Sequence, residues 1–277
     1  MRASVERCLA VGVFDGVHLG HRAILDGVDK ALTFSTHPLA LIDPQRAPDL
    51  IMPLAERVEA IKACGVKEVE VLDFTWETAG IPAEDFAAKY FGIGSSGTAT
   101  TLRCGANWRF GRSGEGDAAW LAERGVKVEV VPYAMYRGEA VSSSRIRRAL
   151  ASGEIGCAND MLGRRYSVSA GRSPGKGRGA AFGFPTVNLE VPALLACGVY
   201  EVEMSGKKGI ANYGFAPTMG DEAWNRPVLE VHLLDVADDP GNGPFRVEFL
   251  RFVRTERRFA SVGELRRQIA ADIKAIS

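Results

Sequence analysis

The sequence predicts an α/β half followed by a β half, and three observations carry that prediction. Up to about residue 157, short apolar runs alternate with stretches of helical spacing, the pattern of a parallel sheet covered on both faces. Beyond that point, β-rich runs follow one another between Gly, Pro and Asn turns, as in a closed antiparallel barrel. The chain ends on Ser261–Ile276, where Leu265, Ile269 and Ile273 recur at intervals of four and mark a helix packed on that barrel.

In the first half, Leu9–Val13, Ala31–Phe34, Val69–Leu72, Thr100–Cys104 and Val126–Val131 read as strands, rich in β-branched residues and ended by Gly, Pro or charge. Ala55–Cys64, Ala83–Tyr90 and Gly116–Glu123 have helical spacing, and Ser143–Ala151 opens on a run of N-cap serines. In the second half, Tyr166–Ala170, Gly198–Glu203, Gly209–Tyr213, Val228–Leu234 and Phe245–Phe252 read as strands, with no helix before Ser261. Two domains joined near Ser152–Asp160 follow, residues 1–157 and 158–277.

At 277 residues each domain can bury a core of its own. The chain is 46% hydrophobic and 25% charged, an ordinary globular composition. Lys+Arg and Asp+Glu both total 34, so no net basic field draws in nucleic acid or an anionic membrane. No apolar run approaches a membrane span and no signal-peptide pattern opens the chain. The five scattered cysteines form no Cys-x-x-Cys pair and read as buried or idle thiols in a reducing compartment. The cytoplasm is the expected location.

The run Phe14-Asp15-Gly16-Val17-His18-Leu19-Gly20-His21 follows the first strand directly and sets two imidazoles three residues apart where strand turns into helix. Helix amides aimed at one point, with imidazoles beside them, suit a polyphosphate whose charge grows during reaction. One buried structural histidine and one surface histidine would be the plainer account of such a pair. Its place at the C-terminal end of the first strand, where open α/β sheets bind ligands, favours a site. Gly16 and Gly20 let backbone approach a ligand, or the helix approach the sheet. His37 closes the next strand in Thr33-Phe34-Ser35-Thr36-His37-Pro38 and is placed to reach the same crevice. Ser142, Ser143, Arg145 and Arg147 open a later helix. One serine suffices for a cap, whereas hydroxyls, free amides and guanidiniums together make a phosphate site.

In the second half, Gly171–Gly179 is a glycine-rich basic loop containing Lys176, Arg178 and Gly179; an exposed connector would look the same. After it, Thr186 and Asn188 lie on one side of an extended segment, two hard oxygen donors suited to share Mg2+ with ATP phosphates. Glu230 sits in the alternating run Val228–Asp235, where a solvated strand carboxylate is the ordinary alternative to a functional one.

Taken in order, FDGVHLGH, TFSTHP, GANWRFGRSGEGD and VSSSRIRRAL resemble the adenylyltransferase half of the bacterial bifunctional riboflavin kinase/FAD synthetases, within the HxGH nucleotidyltransferases. GRGAAFGFPTVN, GVY, NYGFAPT, LEVHLLD and RTERRFAS resemble the riboflavin kinase domain of the same family throughout its length. The resemblance implies a Rossmann-like α/β domain with a parallel sheet, then a six-stranded Greek-key β-barrel with a C-terminal helix. It implies phosphorylation of riboflavin to FMN and adenylylation of FMN to FAD, with ATP and Mg2+ at each step. His18 and His21 would stabilise charge at the reacting phosphates. Phe14, Asp15, Gly16 and Gly20 would shape the ATP site, with Ser142, Ser143, Arg145 and Arg147 holding the leaving pyrophosphate. Asn107 and His37 would face the flavin. Thr186 and Asn188 would bind the metal–nucleotide, Lys176, Arg178 and Gly179 its phosphates, and Glu230 would be the general base.

The chain departs from the family in places. Only Leu19–Lys30, twelve residues, lies between the first histidine of HxGH and the next strand, near the lower limit for a parallel crossover. Thr36, Ala180 and Ala216 replace more usual residues, and Asp238-Asp239-Pro240-Gly241 lacks a tyrosine before its glycine. Two alternatives stand beside the main reading: one half inactive, above all a weakened adenylyltransferase, or a non-catalytic flavin- and nucleotide-binding regulator. The expected partners are ATP, riboflavin and FMN, with no nucleic acid and no membrane, and with self-association left open.

Overall fold

The computed structural model describes residues 7–93, 100–174, 183–215, 227–234 and 241–276. The chain divides into two compact units, Met1–Ser143 and Ser144–Ser277.

The first unit is built on a five-stranded parallel sheet of β1 (Arg7–Val11), β2 (Lys30–Phe34), β3 (Glu68–Leu72), β4 (Thr100–Gly105) and β5 (Lys127–Val131) in the order β3-β2-β1-β4-β5. Alternation along the strands feeds two separate cores. Leu9, Val11 and Leu32 turn to one face, with Phe86, Phe91, Leu102, Phe110 and Leu121. Ala10 and Ala31 turn to the other, with Phe14, Val17, Leu25, Met52 and Ile61. A sheet buried on both sides needs this double alternation of apolar residues. The short crossover is met by α1 (Leu19–Leu25), a helix of only seven residues. Leu54–Lys62 forms α3 and Ala83–Phe91 forms α5. The short helices Leu39–Ile42 (α2), Trp76–Ala79 (α4) and Ala118–Ala122 (α6), and the hairpin Met135–Tyr136/Glu139–Ala140 (β6, β7), complete this unit.

The second unit takes in α7 (Ser143–Ala151), apart from its first residue, and α8 (Ile155–Leu162). This corrects two expectations: the stretch Ser152–Asp160 is largely helix rather than linker, and a helix does precede Ser261. Ile155, Ala158, Met161 and Leu162 are buried, but Gly156, Asn159 and Asp160 interrupt their spacing and make the segment read as a connector. The strands β8 (Tyr166–Ala170), β9 (Val187–Glu190), β10 (Gly198–Met204), β11 (Lys207–Phe215), β12 (Pro227–Leu233) and β13 (Phe245–Thr255) form one six-stranded antiparallel sheet, ordered β8-β13-β10-β11-β12-β9. The run β13-β10-β11-β12 is a Greek key, three hairpin-linked strands and a fourth returning beside the first. The sheet curls until its two edges meet at the bridge Arg172–Leu189, where the Ser173 amide donates to the Asn188 carbonyl at 2.8 Å. Among the described residues, the closure expected of a barrel is made at this bridge. The last helix, α9 (Val262–Ile276), packs Ile273 and Ile276 against Val199, Ile210 and Val253.

Candidate active sites

In the first unit the strand order reverses between β1 and β4, which opens a crevice at the C-terminal ends of those strands. Phe14–His21 follows β1 there, His37 follows β2 and Asn107 follows β4. Phe14 (φ 51°) and Val17 (φ 39°) both adopt left-handed backbone, a costly state for a bulky or β-branched residue. Their side chains are buried in the core, and that packing holds the strained turn. Gly16, at φ 81°, makes the same kind of turn without a Cβ penalty. Asp15 is buried and takes the Ile51 amide on both carboxylate oxygens, at 2.9 and 3.1 Å. Its carbonyl accepts the Ser143 hydroxyl at 2.9 Å, so the first residue of α7 is tied to the turn.

His18 is the N-cap of α1: its Nδ1 accepts the His21 amide at 3.3 Å. That bond leaves the proton of the neutral ring on Nε2. The His18 and His21 rings stack with centroids 3.6 Å apart and planes 16° from parallel. Gly20 is what permits this, since a Cβ there would stand 3.2 Å from the His18 ring and 3.8 Å from the Val141 carbonyl. Burial, and then the neighbouring His18, hold His21 well below the usual imidazole range, so it is neutral at pH 7. Its Nδ1 is buried with no hydrogen-bond partner among the described residues, the condition of a group kept for a ligand.

The other expected residues of this site are less closely drawn in. His37 is half-buried and its Nδ1 accepts the Leu39 amide at 3.1 Å, just before α2. Asn107 is exposed on the turn closed by the Trp108 amide and the Gly105 carbonyl. Ser142 is exposed, while Arg145 and Arg147 are half-buried on α7. One residue escaped the sequence reading. Arg57 on α3 is fully buried, its Nη2 donating to the Phe34 carbonyl at 2.5 Å and its Nε and Nη1 without hydrogen-bond partners among the described residues. Burial draws its pKa down and the charge of Asp15 pushes it back up.

In the second unit, Asn188 on β9 stands opposite Glu230 on β12, and Glu230 stands opposite Asn212 on β11. Their neighbours Leu229, Val231, Ala211 and Tyr213 are buried, so the three polar residues share the outward face. Asn188 Oδ1 and Ser173 Oγ are both buried without hydrogen-bond partners among the described residues. Nothing in the sequence marks Ser173, because its loop reads as a generic Gly/Pro connector. Thr186, half-buried, directly precedes β9. His232 fixes that approach: its Nδ1 lies 2.9 Å from the Pro185 carbonyl and its ring meets Phe184 edge-on. No group of three His, Cys, Asp or Glu that could hold a metal exists among the described residues. An orphaned amide oxygen on Asn188, two residues from the threonine Thr186, nevertheless fits an oxygen-ligated divalent ion shared with phosphate. Lys176, Arg178 and Gly179, with Ala180, Ala216 and Asp238–Pro240, lie outside the described residues.

Fold and sites together define a transferase of two nucleotide-dependent centres, one on a parallel sheet and one on a Greek-key sheet. Residues 2–145 match the FAD synthetase family and residues 162–277 the riboflavin kinase family. The bifunctional riboflavin kinase/FMN adenylyltransferase of Escherichia coli (strain K12) is 33% identical, covering 98% of this chain and 92% of that protein. The protein of the same description from Bacillus subtilis (strain 168) is 28% identical, with coverages of 95% and 89%. A crystal structure described as a macrolide-efflux protein from Streptococcus pneumoniae superposes with a TM-score of 0.85 at 27% identity, over 99% of this chain and 94% of that one. The chain belongs to the bifunctional riboflavin kinase/FMN adenylyltransferase family. No helix among the described residues is long and apolar enough to cross a membrane.

Proposed function

We propose that this chain phosphorylates riboflavin to FMN with ATP and then adenylylates FMN to FAD with release of pyrophosphate, acting in the cytoplasm. The observation that carries the reading is that each unit keeps its own set of unspent polar atoms: His21 Nδ1 in the first, Asn188 Oδ1 and Ser173 Oγ in the second.

For phosphoryl transfer, Glu230 takes the proton of the ribityl 5′-hydroxyl as its oxygen bonds to the γ-phosphorus and ADP leaves. Thr186 and Asn188 would hold Mg2+ with the ATP phosphates, and the ion, when bound, neutralises phosphate charge. Lys176, Arg178 and Gly179 complete the nucleotide site. For adenylyl transfer, a phosphate oxygen of FMN bonds to the α-phosphorus of ATP and pyrophosphate leaves. His18 and His21 steady the charge on the reacting phosphates within the turn formed by Phe14, Asp15, Gly16 and Gly20. Ser142, Ser143, Arg145 and Arg147 hold the pyrophosphate, while Asn107 and His37 face the flavin. This catalysis is electrostatic and positional, with no covalent intermediate.

Purified protein given riboflavin, ATP and Mg2+ should yield both FMN and FAD. FMN without FAD, even when FMN is supplied, discards the adenylyl-transfer half; tight flavin binding with no product discards both.

A further inference from the structure

We propose that Asn212, locked by Glu256, is the acceptor-side contact of the kinase site and holds the hydroxyl chain of the flavin beside Glu230. The proposal rests on the kinase reading above, with Glu230 as the base.

Strand register supplies the frame. Ser173, Asn188, Glu230 and Asn212 lie in one line across adjacent strands, and directly opposed residues have Cβ atoms about 4.5–5.5 Å apart. The orphaned oxygens of Ser173 and Asn188 occupy one end of this line, the end suited to nucleotide and metal. The attacking hydroxyl must lie over Glu230. The rest of the acceptor's chain therefore extends the other way, over Asn212.

Asn212 is prepared for such a contact. Its Nδ2 donates to Glu256 Oε1 at 3.0 Å. Glu256 follows β13, which pairs with β10 and not with β11, so its carboxylate has to cross the end of β10 to reach Asn212. Glycine stands where it crosses. On β11 a Cβ at Gly214 would collide with the Glu256 carboxylate. With one Nδ2 proton held by a carboxylate, the amide cannot flip. Its second proton and Oδ1 then point in fixed directions, a donor and an acceptor side by side, which is what a hydroxyl needs.

The test uses the full chain and steady-state kinetics of riboflavin phosphorylation. Glu256→Ala should lower kcat/KM for riboflavin by about 10- to 100-fold, the loss of one charge-assisted hydrogen bond, while KM for ATP stays unchanged. Glu256→Gln keeps an acceptor for Asn212 and should recover to within about threefold of the parent. The same preparations should keep the parent urea-unfolding midpoint of the second unit, which reports that it is folded. Unchanged riboflavin kinetics in Glu256→Ala overturns the proposal. So does an equal rise in both KM values, or a Glu256→Gln variant as impaired as Glu256→Ala. Glu230→Ala separates this from the parent reading: if it still phosphorylates riboflavin normally, the base assignment itself has failed. If it is inactive while Glu256→Ala is normal, only the role of Asn212 and Glu256 has failed.

Discussion

His21 is buried beside a stacked imidazole, and the consequence can be measured as a dependence on pH. Its folded pKa is lowered, by burial first and by His18 second, so the unfolded chain takes up a proton near pH 6.5 that the folded chain refuses. Stability from this residue is therefore complete above about pH 6.5 and lost as pH falls below it, by up to about 1.4 kcal/mol per pH unit. Thermal unfolding between pH 7.5 and 5 should show the loss, and His21→Asn should flatten part of the slope. The same variant should slow adenylyl transfer about 100- to 1000-fold with riboflavin phosphorylation intact, read by following FMN and FAD separately. Gly20→Ala tests the stack more gently. Its Cβ would meet the His18 ring at 3.2 Å, pushing the ring off the His21 amide at a cost of about 1 kcal/mol for a lost cap. FAD formation should fall and FMN formation should not. The histidines were legible because the HxGH spacing is itself the chemistry. Arg57 was not, because an Arg in the helical run Leu54–Lys62 looks like any solvated cation until the fold buries it completely.

Among the elements, the strands were read to within a few residues, since each is an apolar run cut off by Gly, Pro or charge. Tyr166–Ala170 and Ser143–Ala151 were read with their observed ends. Besides α8, what escaped were segments of a few residues whose structure depends on tertiary contacts: α2, α4 and the β6–β7 hairpin carry too few residues to show a period. The second site was half legible. Asn188 could be picked from local pattern and Glu230 only from the family resemblance, but their alignment with Asn212 and Ser173 is a matter of register between strands distant in sequence, which a linear reading does not contain. The terminal helix shows the same division. Its period of four was plain, but its anchor was not: Arg254 on β13 grips the buried Asp272 on both carboxylate oxygens, at 3.0 and 3.1 Å through Nε and 2.8 Å through Nη2. Asp272→Ala strands that guanidinium and should destabilise the second unit by about 1.5–3 kcal/mol. Urea unfolding followed by loss of riboflavin phosphorylation would register it. An unchanged midpoint would mean that apolar packing by Ile273 and Ile276 alone docks α9.

At the scale of the whole molecule, the helices α7 and α8 decide where the chain can be divided. Residues 144–161 precede the riboflavin kinase family match, which begins at residue 162, yet they belong to the second compact unit. Their bonds explain why. The Asn159 side chain donates to the Phe249 carbonyl at 3.0 Å and accepts the Tyr166 amide at 2.6 Å, tying α8 to β13 and to the start of β8. The Ala196 amide donates to the Leu150 carbonyl of α7 at 3.2 Å, and Leu150, Ile155 and Ala158 are almost wholly buried. A fragment beginning at residue 158 cuts α8 and discards Leu150 and Ile155, at a cost of about 2–5 kcal/mol for each large apolar side chain lost from a core. Marginal stability of about 5–15 kcal/mol leaves little to absorb that. A fragment beginning at Ser144 keeps every one of these contacts. Expressed separately, the 144–277 fragment should unfold cooperatively and phosphorylate riboflavin at a rate near that of the full chain. The 158–277 fragment should be insoluble or melt well below it. Equal midpoints and equal rates for the two fragments would show that α7 and α8 do not stabilise the kinase sheet, and would return the functional boundary to residue 157.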